Sequence, residues 1–142
     1  MEEHIRANAE MVLEQIRSLS GVDLGYSGEA VKWLEGYIER LKESGEFESA
    51  EIRNKLTSVF GSFLGECIVR CYGGVWTQQD GQWAVVFKDG DAAFPFNKVA
   101  KQFDNGTVDG ISSFFGVIPI LFEGRVRPLT PAPAPKPWWK IW

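Results

Sequence analysis

The sequence predicts an α+β domain, in which N-terminal helices pack on a small antiparallel sheet of about three strands and short C-terminal helices follow. Apolar residues recur at spacings of three and four through the first half of the chain, as in amphipathic helices. After Gly73 and Gly74 the pattern becomes short alternating segments rich in β-branched and aromatic residues. The 142 residues are 44% hydrophobic and 24% charged, which is the composition of a folded globular domain.

Three helices are predicted before the glycine pair. The apolar face of the first is formed by Ile5, Ala9, Val12, Ile16 and Leu19. Ser27 is a candidate N-cap of the second helix, and Gly45 is suited to end it in a left-handed conformation. The second helix has a wide apolar face that includes Trp33 and Tyr37.

The third helix, predicted from about Ser49 to Tyr72, is the most apolar. Its second half is nonpolar over most of its circumference, so we expect it to be central and covered on several sides. Gly61 and Gly65 each disfavour a helix by about 1 kcal/mol relative to alanine, which indicates that another backbone packs closely against them.

The sheet is predicted from residues 75–77 and 82–88, joined by an Asp80-Gly81 turn of the hairpin type. Residues 92–95 can add a third strand, which Pro95 places at an edge or ends.

Two short helices are predicted to complete the domain. Asn97 is a candidate N-cap for the first of them, and Asp109 for the second. Pro119 must break or kink the second helix. Residues 117–122 are compatible with either a helix or a strand, and we favour the helix.

Composition separates a domain at residues 1–124 from a C-terminal arm at residues 125–142. Five of the seven prolines and three of the six tryptophans lie between Pro128 and Trp142. Residues 123–142 hold four basic residues and one acidic residue, whereas residues 1–66 hold seven basic and thirteen acidic residues. The alternating prolines favour a polyproline II conformation.

Three interpretations of the arm remain open: a segment that docks on the helices of its own or a neighbouring subunit, a ligand for a polyproline-binding domain or a membrane surface, and a flexible linker. We favour docking, since three tryptophans in water are an aggregation liability. The residues expected to dock and to support self-association are Trp138, Trp139 and Trp142.

Charge and segment patterns exclude several functional classes. A net charge of −4 and a pI near 5.1 give no overall field that attracts nucleic acid or anionic lipid. The N-terminus lacks the pattern of a secretory signal, and the longest apolar run, nine residues from Phe114 to Phe122, is far shorter than the ~20 residues of a membrane span. With two cysteines that form no disulfide framework, we expect a cytoplasmic protein without a membrane or nucleic-acid partner.

The residues available for catalysis are few. From the sequence we expect that the protein is not an enzyme and that it has neither a cofactor nor a metal site. His4 is the only histidine and lies among acidic residues, so a solvated position is expected. Cys67 and Cys71 lie on one helical face without partners for zinc and are expected to be buried thiols. Glu66 stands in an apolar stretch, where pairing with Arg70 one turn later is favoured over a functional role.

A block of motifs covers about a third of the chain: LGE at residues 64–66, YGGVW at 72–76, a strand with Trp83 (WAV at 83–85), FPFNKVAK at 94–101 and NGTVDGI at 105–111. This order resembles a family of small bacterial domains whose function is not known. The resemblance implies a bacterial, cytoplasmic protein with an α+β architecture and no assigned catalytic residues. It also implies that a shared binding site would use the polar and aromatic members of the block, which are Glu66, Tyr72, Trp76, Lys98, Lys101 and Asp109.

Three functions are compatible with these observations. We favour a non-catalytic protein-binding module of the immunity or adaptor type, which binds a protein partner or itself. The alternative is a small-ligand-binding domain with a pocket between the central helix and the sheet near Glu66 and Trp76. The third is an enzyme that uses two carboxylates without histidine, which requires a pair of acids within about 10 Å in a cleft.

Overall fold

A computed structural model describes residues 2–45, 49–88 and 90–121 of the chain. It confirms the α+β class, with a small antiparallel sheet beside five α-helices. The predicted C-terminal arm, with Trp138, Trp139 and Trp142, lies outside the described residues. The elements are α1 (Glu2–Ser20), α2 (Gly28–Ser44), α3 (Ala50–Tyr72), β1 (Val75–Gln79), β2 (Gln82–Val86), β3 (Ala92–Ala93), α4 (Pro95–Asn105), a 3₁₀ turn (Gly106–Asp109) and α5 (Ile111–Leu121).

The helix boundaries follow the capping residues that the sequence contains. The Ser27 side chain accepts a hydrogen bond from the Ala30 N–H at 3.2 Å, which satisfies an unpaired donor at the start of α2. Gly45 and Gly73 end α2 and α3 in the left-handed region, with φ values of 74° and 83°.

The central position predicted for α3 is confirmed. Every residue from Phe60 to Ile68 is buried, and α1 and α4 both pack extensively on this helix. The second helix, α2, instead has its most extensive contacts with α5. One hydrophobic core includes buried residues from all five helices and the sheet.

The sheet is an antiparallel meander with the order β1-β2-β3. Asp80 and Gly81 form the predicted tight turn, and both have positive φ, at 51° and 80°. A two-residue turn of this kind matches the right-handed twist of the flanking strands. The third strand is shorter than predicted, since Pro95 begins α4.

The two caps predicted for the C-terminal helices are wrong. Helix α4 begins at Pro95, so Asn97 lies inside its first turn, where its side-chain amide donates to the Gln82 side-chain oxygen at 3.1 Å. At the start of α5, buried Gln102 accepts the Ile111 N–H at 3.0 Å, in place of Asp109. This cap is contributed by a neighbouring helix, which the local pattern of the sequence does not show.

Residues 117–121 are helical, as we favoured, and Pro119 lies within α5. Within the described ranges, the structure contains no helix that is both long and apolar enough to cross a membrane.

Candidate functional site

The six candidate residues from the motif block do not converge on one site. Glu66 and Trp76 contact each other where α3 meets β1. The buried Glu66 carboxylate accepts a hydrogen bond of 2.8 Å from Trp76 Nε1 and one of 3.4 Å from Arg70 Nε. The predicted Glu66–Arg70 pair is therefore present, and Trp76 is a second donor that the spacing along α3 did not reveal. Two donors offset the cost of burying the carboxylate.

Two glycines make room for this contact. A Cβ at Gly65 would overlap the indole of Trp76, and a Cβ at Gly61 would overlap the ring of Phe96. The rings of Trp76 and Phe96 contact each other, with centroids 5.8 Å apart. The close approach predicted for these glycines is present, although aromatic side chains take up most of the space that we had assigned to a backbone.

Arg70 connects the Glu66 carboxylate to the loop before α2. Its guanidinium lies over the ring of Tyr26, 4.0 Å from the centroid, and that ring stacks on Phe63 at 5.4 Å. Burial raises the pKa of the Tyr26 hydroxyl. Glu66 and Trp76 are 4% and 6% exposed, so their side chains act as a contact between α3 and the sheet.

Lys98 and Asp109 form a second, separate pair. Lys98 Nζ lies 3.2 Å from Asp109 Oδ1 and also 5.6 Å from the ring centroid of Phe114. The Asn105 side-chain amide donates to Asp109 Oδ2 at 2.8 Å. The hydrogen bond from Asn105, together with that from Lys98 and its charge, lowers the pKa of Asp109. This pair joins α4 to the 3₁₀ turn that leads into α5.

Of the remaining two candidates, Tyr72 lies apart from both pairs, whereas the charge of Lys101 acts on Asp109 and helps to lower its pKa. The Tyr72 hydroxyl donates to the Phe115 carbonyl at 3.2 Å, and burial raises the pKa of Tyr72 to about 12. Lys101 is exposed on α4. The motif block therefore describes contacts between secondary structure elements more than it describes one binding surface.

A large apolar groove lies where α1, α2 and the first half of α3 meet. Its volume is about 510 Å³, and eleven of the twelve residues that line it are apolar or aromatic, Gln15 being the exception. Met11 and Ile52 on its rim are 57% and 46% exposed. We call this surface the apolar groove; its principal lining residues are Met11, Trp33, Tyr37, Ile52, Leu56 and Phe60.

One wall of the apolar groove is aromatic. The rings of Trp33 and Tyr37 stack with centroids 5.1 Å apart, and Phe60 meets Tyr37 edge-on at 6.2 Å. The Arg40 guanidinium lies over the same two stacked rings, 5.6 Å and 5.8 Å from their centroids. These contacts hold the rings in fixed positions from which they can contact a ligand.

A second, more polar cavity of about 350 Å³ lies between α1, α3, β2 and the start of α4. His4, Asn8 and Ser62 are among its lining residues, together with Trp83 and Phe96. The Trp83 Nε1 is buried and has no hydrogen-bond partner among the described residues. His4 is exposed, as expected, but it lies at the edge of this polar cavity.

Neither cavity is lined by Glu66 or Trp76, whose side chains are packed against each other. Neither is lined by an aspartate or a glutamate. A hydrolytic mechanism with two carboxylates therefore finds no pair of acids in these two spaces.

Comparisons with known proteins place the chain in no group. No family model, no curated protein and no solved structure matches it. The resemblance to the bacterial domain family thus stays a prediction, and the functional argument rests on the geometry of this chain.

The apolar groove was not predicted from the sequence, although two signals pointed to it. The apolar face of α2 is wider than one neighbouring helix can cover, because it includes Trp33 and Tyr37. Ile52, which lines the groove, continues the apolar pattern of α3 but is exposed. We interpreted each apolar residue at helical spacing as part of the core. At the groove, residues with the same spacing are exposed to solvent.

Among the described residues there is no cluster of three or more His, Cys, Asp or Glu side chains that could hold a metal ion. Cys67 is buried and Cys71 is partly buried, and neither forms a disulfide. Burial raises the pKa of both thiols.

Proposed function

We propose that this protein is a non-catalytic module of the adaptor or immunity type, which binds another protein through the apolar groove. The observation that supports this most strongly is the exposure of large apolar side chains around one concave surface, with Met11 and Ile52 on its rim. Concave apolar surfaces with large exposed side chains on their rim commonly mark interaction sites.

The shape of the groove favours a short segment of a partner as its occupant. Helices or extended peptides that dock in apolar grooves do so through a few large side chains that enter the groove. Trp33 and Tyr37 supply a rigid aromatic surface for such anchors, and buried aromatic residues contribute strongly to binding at interfaces.

The charge of the helices that form the groove indicates which charge the partner segment carries. Residues 1–66, which contain α1, α2 and most of α3, hold thirteen acidic and seven basic residues. The net negative charge of the segment that forms the groove attracts a positively charged partner to this part of the domain. We therefore propose that the groove binds a segment whose apolar or aromatic anchors are flanked by lysine or arginine.

Two groove variants and one matched control test this function. The full chain and its Met11→Glu and Ile52→Glu variants are used to capture proteins from a host lysate, and any stoichiometric partner is then purified and measured directly by calorimetry. The control is Val108→Glu, which adds the same charge at an apolar residue that is 91% exposed in the 3₁₀ turn.

We expect both groove variants to weaken binding of the purified partner at least tenfold, because a carboxylate would have to be buried against the anchors. The control is expected to bind as the unchanged chain does. Circular dichroism checks that all variants are folded. Recovery of no stoichiometric macromolecular partner, or equal binding by all four proteins, would count against the proposal.

A small-ligand-binding role is a second candidate, favoured by the cavity of about 350 Å³ that is lined by polar and aromatic side chains, among them Asn8, Ser62 and Trp83. Concave sites with a few polar groups between aromatic walls are typical of small-molecule binding. A thermal-shift screen of small heteroaromatic compounds tests this role. Stabilisation that Ser62→Leu removes, by filling the cavity, would support it, and a screen without stabilising compounds would argue against it.

A further inference from the structure

We infer that the C-terminal arm, residues 125–142, occupies the apolar groove of its own chain, with its tryptophans as anchors. This inference rests on the proposed function, because it takes the groove as a binding surface and names the segment that a partner must displace. It identifies the arm as an autoinhibitory element that competes for the same surface.

The arm has the side-chain chemistry that the groove requires. Three of its last five residues are tryptophans, at positions 138, 139 and 142, and Lys136 and Lys140 flank them. The groove offers apolar walls and the stacked rings of Trp33 and Tyr37. Offset stacking and edge-to-face contacts between aromatic rings add about 0.5–1.5 kcal/mol per pair beyond the burial of apolar area.

The charges of the two surfaces are complementary. Residues 125–142 contain four basic residues and no acidic one, whereas residues 1–66 hold the excess of acidic residues. Opposite net charge therefore favours the approach of the arm to this face of the domain.

The arm is long enough to reach the groove from the end of α5. Leu121 ends α5, and Trp138 follows it by seventeen residues. At about 3.3 Å per residue, the maximum for an extended chain, these residues can reach across roughly 50 Å. A domain of this size has a radius of gyration of about 14 Å, so roughly 50 Å exceeds its diameter. The linking residues thus do not limit which face the tryptophans reach.

The same length favours the chain's own groove over that of a second copy. A segment tethered by a short linker experiences an effective concentration on the order of 1 mM, well above the concentration of a second copy in dilute solution. The groove lies on the same domain as α5, which packs against α2, one of its walls. Docking within one chain therefore needs no dimer.

Oxidation of Met11 measures whether the arm covers the groove. Met11 lies on the rim of the apolar groove and is 57% exposed, so hydrogen peroxide oxidises its thioether readily unless the arm covers it. The full chain is compared with a variant whose arm tryptophans are replaced, Trp138→Ser, Trp139→Ser and Trp142→Ser. The rate is followed by peptide mass spectrometry against free methionine in the same reaction.

We expect Met11 in the full chain to be oxidised about tenfold more slowly than in the arm variant, at a rate independent of protein concentration. Ile52→Glu, in the groove and with the arm intact, should restore fast oxidation, and Val108→Glu should leave Met11 protected. Equal rates in the full chain and the arm variant would overturn the inference, while partner binding through the groove could still be observed in the capture experiment.

Protection that appears only at high protein concentration, together with a dimer mass in light scattering, would overturn the inference in a different way. It would assign the groove to the arm of a second copy. Deletion of residues 128–142 would then lower the oligomeric mass.

Discussion

Replacing Gly65 with alanine is expected to destabilise the protein, although alanine is the better helix former. Gly65 lies in the buried part of α3, where a Cβ would overlap the indole of Trp76 and lie 3.1 Å from Pro95 Cγ. The indole has little freedom to move aside, since its Nε1 donates to the Glu66 carboxylate at 2.8 Å. The added methyl group therefore competes with the contact between α3 and β1.

The expected magnitude is a difference between opposing effects. Alanine gains about 1 kcal/mol from helix propensity. Overpacking a core position costs about 1–3 kcal/mol, and loss of a hydrogen bond to a buried carboxylate costs about 1.5–3 kcal/mol more. The Gly65→Ala variant should therefore lose about 1.5–5 kcal/mol, which lowers the urea midpoint by roughly 1–2.5 M for an m value of about 2 kcal/mol/M.

Gly36→Ala is the matched control, because Gly36 lies in the middle of α2 with nothing within 4 Å of an added Cβ. It should gain about 1 kcal/mol from the same helix propensity. Urea unfolding followed by circular dichroism at equal m values compares the two variants with the unchanged chain. If Gly65→Ala is neutral or stabilising while Gly36→Ala stabilises, the packing of Trp76 against α3 described above is wrong.

Three further predictions follow from the other contacts. A double-mutant cycle of Glu66→Ala and Trp76→Phe should give a coupling of about 1–3 kcal/mol in urea unfolding, and a coupling below about 0.5 kcal/mol would argue against the hydrogen bond between them. The raised pKa of Tyr72, about 12 against 10.0, means that the unfolded chain ionises first. The free energy of unfolding therefore falls as the pH rises from 10.0 to about 12. Tyr72→Phe should remove both this fall and the late ionisation step in ultraviolet absorbance. Ionisation of Tyr72 at a pH close to 10.0 would refute the burial of its hydroxyl. The lowered pKa of Asp109 gives the opposite pH dependence of stability. Its carboxylate stabilises the fold above the unfolded pKa of 3.8, and this stabilisation is lost as the pH falls below that value. The difference in unfolding free energy between the unchanged chain and Asp109→Asn should shrink on acidification, and a difference that stays constant with pH would contradict the Lys98 and Asn105 contacts.

The local signals in the sequence predicted the elements with good accuracy. Ser27, Gly45 and Gly73 act through bonds and dihedral angles within a few residues of their own positions, so their effects can be predicted without knowledge of the fold. The Asp80-Gly81 turn is similar, because the positive φ of both residues sets the hairpin.

Contacts between distant residues were predicted less well. The cap at Asn97 was wrong because α4 begins at Pro95, two residues earlier. The cap at Asp109 was wrong because the start of α5 is satisfied by Gln102 and Glu35, the latter accepting the Ser112 N–H at 3.1 Å. In the sequence, every polar residue near a helix terminus is a plausible cap. The residue that caps the terminus in the structure is decided by which neighbouring helix packs against it.

The candidate site residues also separate into local contacts, which the sequence predicts, and contacts between distant residues, which it does not. Glu66 was identified as unusual because a carboxylate in an apolar stretch needs a partner, and Arg70 was predicted from its spacing on the helix. Trp76 could not be paired with Glu66 in advance, since the donor comes from a strand beyond the end of α3. The motif residues are real contacts, but they belong to three separate places in the structure.

The sequence by itself determined the class of the domain, the position of its helices and turns, and the charge contrast between its N-terminal region and its arm, since these depend on periodicity, local conformation and composition. Only the tertiary structure decided that α1 and α2 leave an apolar groove over the first half of α3. An apolar stripe has the same pattern whether another helix covers it or not. The difference lies in how helices diverge from one another, and that is set by the packing of α1 on α3 and of α2 on α5.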